Sequence, residues 1–186
     1  LALGGAKNHI LLLPDAHPEM ASSNIVASMS GCAGQRCMAA ATLIAVGNCD
    51  AILNKLVDDA LKIQCGTTLG AVISKAAKER IENYITEAEQ QGAKIILDGR
   101  NTIVPGKENG FYVGPTIIDY ATADMKIAKE EVFGPVLTII RVNTIDEALA
   151  IENANPYGNA CSVFTQSGGL ANYVTEKYGY SCFADD

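Results

Sequence analysis

Short apolar runs alternate with segments of helical periodicity along this chain. Continuous apolar runs predict strands buried on both faces at residues 9–13, 38–46, 93–97, 111–118, 136–142 and 161–164. The intervening segments predict helices at about residues 18–30, 52–62, 74–91, 145–153 and 170–177. Strands and helices that alternate at this spacing are typical of an α/β fold with a mostly parallel sheet flanked by helices.

Local signals support these helix boundaries. Ala77, Ile81, Ile85 and Ala88 share one helical face, and a glycine follows the segment as a natural stop. The segment 144–147 (TIDE) is a capping-box signature. The polar loop at residues 101–110 is too short for a domain linker, so we expect a single domain over residues 1–186.

Composition excludes several classes of protein. The 186 residues are 48% apolar, which indicates a globular chain with a core. A net charge of −7 argues against nucleic acid or an anionic membrane as a partner. The longest apolar run, residues 38–46, is far short of the roughly 20 residues that span a bilayer. No secretory signal is visible, and a start at Leu1 suggests a fragment.

Six cysteines are present, none of them spaced as C-x-x-C, and there are only two histidines. We therefore predict no metal site, and reduced thiols in an intracellular compartment. Neither histidine has a visible partner in the sequence, and His17, next to a proline, is expected at the surface.

The first candidate for chemistry is Cys37, in the segment SGCAGQRCM at residues 30–38. A cysteine is a nucleophile only as thiolate, and Arg36 is a possible source of positive field. Gly31 and Gly34 leave room for a substrate beside the main chain. The alternative is a small buried hydrophobe at the entrance to a strand. Cys32 is a weaker rival, because carbonyls at a helix end disfavour a thiolate.

The second candidate is the segment KEEVFGPV at residues 129–136. Its carboxylates suit a pair of ribose hydroxyls, since one carboxylate accepts from two donors, although a solvated charged turn has the same composition. The segment GGAKNH at residues 4–9 is either a tight turn or a polar site wall. No glycine-rich phosphate loop occurs, so nucleotide binding cannot be argued from glycine motifs.

Taken together, these segments resemble the aldehyde dehydrogenase superfamily, and within it the CoA-acylating methylmalonate-semialdehyde dehydrogenases. The matching motifs occur in the same order over about residues 3–165. They are GAKNH at residues 5–9, AGQRCMA at 33–39, NGFYVGPT at 109–116, EEVFGPV at 130–136 and NPYGN at 155–159.

The resemblance implies a mechanism and roles for four residues. The Cys37 thiolate would attack the aldehyde of a malonate or methylmalonate semialdehyde, with its backbone N–H as half of an oxyanion hole. Hydride would pass to NAD, and coenzyme A would take the acyl group with loss of CO₂. Glu131 would bind the nicotinamide ribose, Phe133 would line the nicotinamide site, and Arg36 would pair with the substrate carboxylate.

Departures from the family pattern qualify this expectation. Hydrolytic members carry a general-base glutamate where this chain has Ala2, which favours coenzyme A over water as acyl acceptor. The loop at residues 62–69 is shorter than in the family, and the sequence drifts after about residue 168. The family's dinucleotide-binding half, with an oxyanion-hole asparagine and a second substrate arginine, is absent from this chain.

We therefore expect a catalytic-domain fragment with little turnover of its own. Its parent would be a homo-oligomer in the mitochondrial matrix of a eukaryote or the cytoplasm of a bacterium. Two alternatives remain open: another aldehyde dehydrogenase, hydrolytic or acting on a different semialdehyde, and a non-catalytic scaffold or oligomerisation piece.

Overall fold

The computed structural model describes residues 4–178 and the backbone of residues 183–185. The strands are β1 (His9–Leu12), β2 (Thr42–Val46), β3 (Lys94–Leu97), β4 (Thr116–Asp119), β5 (Val136–Val142), β6 (Cys161–Phe164) and β7 (Phe183–Asp185). The α-helices are α1 (Pro18–Ser30), α2 (Asp50–Ala60), α3 (Lys75–Gln90), α4 (Lys126–Lys129), α5 (Ile145–Asn153) and α6 (Gly168–Lys177), with a 3₁₀ turn at Gly31–Gly34.

The strands form one seven-stranded sheet in the order β3-β4-β5-β2-β1-β6-β7. Every neighbouring pair is parallel except β3 with β4. This confirms the predicted α/β fold with a mostly parallel sheet. Strands β1, β2 and β4, each flanked by two other strands, are buried throughout, as continuous apolar runs predict for strands covered on both faces.

Helices cover both faces of the sheet. On one face, Ile25 of α1 and Leu56 of α2 pack with Leu43 of β2 in one cluster. On the other, Ile81 and Ile85 of α3 belong to a second cluster, and α5 and α6 pack over β1 and β6 in a third. Each fully buried aliphatic side chain contributes about 1.5–3 kcal/mol of transfer free energy.

Side chains cap the beginning of α3 and of α5, and one of these caps, the capping box at Thr144, was predicted. Ser74 begins α3 by accepting a hydrogen bond from the backbone N–H of Ala77 at 3.1 Å. Thr144 and Glu147 form the capping box of α5, with Thr144 Oγ1 accepting from the Glu147 N–H at 3.2 Å. These contacts satisfy N–H groups that have no partner within the helix.

Three strand predictions need correction. The segment 38–46 becomes a strand only at Thr42, because residues 37–39 form a turn that leaves Met38 exposed. The segment 111–118 is a strand only from Thr116. Strand β3 is an edge strand with Lys94 exposed, because only β4 pairs with it. An apolar run by itself does not show where strand pairing begins or which strands occupy an edge.

The described part of the chain contains no candidate for a membrane-spanning helix and no candidate metal-binding cluster. No helix there is long and apolar enough to cross a membrane. No group of three or more metal-ligating side chains is found there either. Cys32, Cys37, Cys49 and Cys65 are free thiols, while Cys182 lies outside the described residues.

Candidate active site

Four loops meet at one edge of the sheet. They precede four adjacent strands: residues 4–8 lead into β1, 31–41 into β2, 130–135 into β5 and 154–160 into β6. Because these strands are parallel neighbours, their amino ends lie at the same edge. The parallel topology therefore brings together four segments that lie far apart in the sequence.

These loops enclose a cleft of about 700 Å³. Its walls comprise Gly4, Gly5, Ala6, Cys37, Glu131, Phe133, Pro156, Tyr157, Gly158 and Asn159. Three of the four predicted site residues, Cys37, Glu131 and Phe133, thus line one space. The fourth, Arg36, is not among its lining residues.

The loop that carries Cys37 begins with a reversal of the chain after α1. Cys32 and Ala33 adopt left-handed backbone angles, with φ of 53° and 55°, and Gly34 follows with φ of 68°. A Cβ on Gly34 would lie 2.0 Å from the carbonyl oxygen of Gly134. Glycine is therefore required for this loop to contact the segment at residues 131–135.

The prediction that Gly31 and Gly34 leave room for a substrate is wrong. A Cβ on Gly31 would lie 2.4 Å from Nη2 of Arg36, and the space beside Gly34 is occupied by Gly134. The two glycines make room for the protein's own groups, Arg36 and the backbone of Gly134.

Cys37 is exposed, so it is not the small buried hydrophobe that the sequence left as an alternative. Its carbonyl oxygen accepts hydrogen bonds from Nδ2 of Asn8 at 2.8 Å and Nδ2 of Asn159 at 2.6 Å. Cys49 provides a contrast: it is buried, its thiol faces the carbonyls of Leu12 and Val46, and burial raises its pKa to about 11. Of these two thiols, only Cys37 is accessible for reaction.

Arg36 lies against the carboxyl-terminal end of α1. Its Nη2 donates to the carbonyl of Ser28 at 3.0 Å and of Ala27 at 3.3 Å, where the helix dipole is negative. The side chain is exposed, and its Nε and Nη1 take no part in these bonds. The pairing of Arg36 with a substrate carboxylate stays a prediction.

The two adjacent glutamates have different surroundings. Glu130 accepts a hydrogen bond from the Tyr84 hydroxyl at 2.5 Å and does not line the cleft. Glu131 lines the cleft, and among the described residues no group donates a hydrogen bond to its carboxylate. Phe133 is 37% exposed and has a φ of 52°, a conformation that costs a non-glycine residue about 1–2 kcal/mol.

The structure reveals a buried lysine beneath this cleft. Lys7 is 2% exposed, and its Nζ donates to the carbonyl of Ile127 at 2.6 Å. Burial lowers the pKa of Lys7 to about 7, against the opposing influence of Glu131 and Glu130. The sequence indicated only a tight turn or a polar site wall at residues 4–9, because periodicity does not show that a lysine before a strand is buried.

His9 also differs from expectation, because it has a partner. Its Nδ1 forms a hydrogen bond with Oε2 of Glu152, and both side chains are buried. His17 is exposed as expected, and its Nδ1 caps α1 by accepting from the Met20 N–H at 3.5 Å. Since 143 residues separate His9 from Glu152, no local pattern could have found that pair.

Comparison with known proteins agrees with this fold. Residues 1–183 match the aldehyde dehydrogenase family, a family of oxidoreductases, and the chain belongs to it.

Among similar sequences, the mitochondrial acylating methylmalonate-semialdehyde dehydrogenase of Arabidopsis thaliana is 49% identical over 173 residues, covering 90% of this chain and 28% of that protein. The malonate-semialdehyde dehydrogenase of Pseudomonas aeruginosa is 43% identical over 184 residues, covering 95% of this chain and 37% of that protein. The chain thus spans roughly a third of the length of these curated relatives.

Solved structures show the same similarity. The methylmalonate-semialdehyde dehydrogenase of Oceanimonas doudoroffii has a TM-score of 0.90 and 41% identity, over 94% of this chain and 37% of its own. A second structure, from Sinorhizobium meliloti, is assigned the same activity and is complexed with NAD. It has a TM-score of 0.93 and 34% identity, over 97% of this chain and 39% of its own.

Proposed function

We propose that the chain is a single domain over residues 1–186, the nucleophile-bearing catalytic domain of an NAD-dependent, CoA-acylating semialdehyde dehydrogenase. The parent enzyme converts malonate or methylmalonate semialdehyde to acetyl- or propionyl-CoA with loss of CO₂. The observation that carries this proposal is the convergence of Cys37, Glu131 and Phe133 on one cleft. The 49% and 43% identity to two enzymes named for these semialdehydes supports the substrate class.

The cleft has suitable groups for the nicotinamide end of NAD. The Glu131 carboxylate accepts no hydrogen bond among the described residues, so it is available for ribose hydroxyls. Phe133 is exposed on the same wall and offers an aromatic surface. When bound, NAD supplies a hydride acceptor. The part of this chain is to hold the nicotinamide ribose close to Cys37.

Cys37 performs the covalent chemistry in this proposal. Its thiolate adds to the aldehyde carbon, and its own backbone N–H stabilises the developing oxyanion. Once the adduct has been oxidised to a thioester, the thiol of coenzyme A attacks the acyl carbon and the Cys37 thiolate leaves. Loss of carbon dioxide breaks the bond between the β-carboxylate and the α-carbon, and the α-carbon takes up a proton from water, so the released product is acetyl- or propionyl-CoA.

Arg36 is the proposed partner of the substrate carboxylate. Its guanidinium has five N–H donors, of which the contacts with Ala27 and Ser28 use only the Nη2 group. The N–H groups of Nε and Nη1 remain, and each can donate a hydrogen bond to a carboxylate oxygen of the substrate.

Coenzyme A rather than water is the proposed acyl acceptor. The position that carries the general base in hydrolytic members is Ala2, which lies outside the described residues. Without a carboxylate there, water is poorly activated. We further propose a homo-oligomeric parent located in the mitochondrial matrix of a eukaryote or the cytoplasm of a bacterium.

The test is product formation by the intact source protein. With semialdehyde and NAD, we expect NADH and acyl-CoA to form only when coenzyme A is present. Cys37→Ser is expected to lower the rate at least 10³-fold, as loss of a nucleophile does, while the matched change Cys32→Ser leaves it within about twofold. Free acid as the product without coenzyme A would instead identify a hydrolytic dehydrogenase.

The isolated chain provides a separate check against a scaffold role. We expect little or no NADH from it, but selective alkylation of Cys37 over Cys32, which is also exposed. Equal, slow alkylation of the two thiols would favour a non-catalytic piece.

A further inference from the structure

The carbonyl oxygen of Cys37 is held by two side-chain amides from opposite ends of the chain. Asn8 and Asn159 each donate through Nδ2, at 2.8 Å and 2.6 Å. Within the part of the chain that the structure describes, no backbone N–H donates to this oxygen. A carbonyl oxygen only accepts hydrogen bonds, so each amide must present its NH₂ group to it. Both acceptor positions are thus filled by side chains.

The two asparagines are anchored differently. Asn8 is buried, and its Nδ2 donates a second hydrogen bond to the carbonyl of Ala39 at 2.9 Å. The backbone carbonyl of Asn8 accepts from the Thr42 N–H at 3.1 Å. Asn8 is therefore part of the frame that joins β1 to β2. Asn159 is exposed on the cleft wall, and its bond spans 122 residues. Asn159 can be changed without removing a buried polar group.

The loop that carries Asn159 is itself fixed to the opposite wall. Asn155 donates through Nδ2 to the carbonyl of Lys7 at 2.7 Å. The ring of Tyr157 lies against Gly5, where a Cβ would approach Cε1 to 3.2 Å. The loop before β6 is thus held to the segment before β1, and the Asn159 bond connects this frame to Cys37.

We propose that Asn159 is a positioning residue for Cys37. Its bond fixes the peptide that follows the nucleophile, and with it the direction from which Sγ approaches a carbonyl carbon in the cleft. This inference rests on the proposed function, in which Cys37 is the nucleophile. Addition to a carbonyl needs a narrow approach and an oxyanion donor, whereas displacement at a small alkyl halide needs only an accessible thiolate.

Two reactions of the full chain distinguish orientation from thiol reactivity. With p-nitrophenyl acetate, the Cys37 thiolate adds to the ester carbonyl, a C–S bond forms, the C–O bond breaks and p-nitrophenolate leaves as a measurable burst. With iodoacetamide, a C–S bond forms and iodide leaves. Both rates are taken from the high-pH plateau of their pH profiles, so a change in the pKa of the thiol does not enter the comparison.

Asn159→Leu removes the donor at similar size. The matched control is Asn153→Leu, because Asn153 is also exposed and donates to a backbone carbonyl, that of Lys177 at 3.2 Å, outside the cleft. Because it loses this bond at the nucleophile, the Asn159→Leu variant is expected to be acylated by p-nitrophenyl acetate about tenfold more slowly than the unmodified chain. Its rate of alkylation by iodoacetamide should stay within about twofold. Asn153→Leu should change neither rate, and Asn159→Gln, which retains a donor, should recover part of the acylation rate.

The outcomes that would overturn the proposal are distinct. If the burst of the unmodified chain maps to Cys37 and Asn159→Leu is acylated at the same rate, the positioning role is refuted and the proposed function stands. A parallel fall in both rates with a lower unfolding temperature would show a structural role only. No burst at Cys37 in the unmodified chain would refute the nucleophile assignment, and the positioning role with it.

Discussion

Gly34 lies directly against Gly134: a Cβ added to Gly34 would approach the carbonyl oxygen of Gly134 to 2.0 Å. This contact joins the loop of Cys37 to the loop of Glu131 and Phe133. The two candidate motifs therefore form one wall only because Gly34 has no side chain where the two loops cross.

The first prediction concerns this contact. Gly34→Ala is expected to lower the free energy of unfolding by about 3 kcal/mol or more, because it combines a left-handed φ with a clash against backbone. Gly106→Ala is the matched control, since Gly106 has a φ of 75° but nothing within 4 Å of an added Cβ. It should lose only about 1–2 kcal/mol. Urea unfolding measures both, and equal losses would show that the contact is unimportant.

A second prediction follows from the buried Lys7. Its pKa is lowered from 10.5 to about 7, so between these values the unfolded chain binds a proton that the folded chain has lost. The free energy of unfolding therefore rises with pH in that window, by up to about 1.4 kcal/mol per pH unit from this group. Below about pH 7 the lysine is protonated in both states, and the cost of its burial is fully present.

Lys7→Met tests this dependence. The difference in the free energy of unfolding between the unmodified chain and Lys7→Met should change with pH from about 7 to 9 in favour of the unmodified chain. The lost bond to Ile127 contributes a constant offset, since a neutral amine also donates. Lys94→Met, at an exposed strand position, controls for the loss of a lysine. Parallel pH curves for the unmodified chain and Lys7→Met would mean that Lys7 stays protonated when folded.

The third prediction concerns the buried pair of His9 and Glu152. Glu152→Ala leaves His9 without its partner and is expected to cost about 3–5 kcal/mol of unfolding free energy. Glu79→Ala removes one member of an exposed pair with Lys75 and should change stability by less than about 1 kcal/mol. Chemical denaturation compares the two variants. Similar small losses would show that the buried pair does not contribute to stability.

The fourth prediction separates the neighbouring glutamates in the intact source protein. Glu131→Gln is expected to weaken NAD binding about tenfold, since a hydrogen bond from a ribose hydroxyl to a charged acceptor contributes about 1.5–3 kcal/mol. Glu130→Gln should leave the affinity for NAD within about twofold of the unmodified protein, because Glu130 contacts Tyr84 outside the cleft. Titration with NAD measures both. The reverse order would assign the ribose contact to Glu130.

Local patterns predicted much of this fold. The stripe of Ile81, Ile85 and Ala88 became the buried face of α3, and the capping box at Thr144 begins α5. The edge position of β3 was not predictable, because burial of an apolar run depends on which strands flank it. The start of β2 at Thr42 was missed for a similar reason: the preceding residues are apolar but belong to the turn of Cys37.

By itself the sequence determined the order and type of most elements, the family to which the chain belongs, and the candidates Cys37, Arg36, Glu131 and Phe133. These depend on neighbours within a few residues, where propensity, periodicity and motif spacing operate. Only the tertiary structure decided which candidates share a space, that the Arg36 side chain packs against the end of α1, and that Asn8 and Asn159 hold the Cys37 carbonyl. The physical reason is that parallel strands bring loops to a common edge whatever their separation in sequence, so these contacts have no local signature.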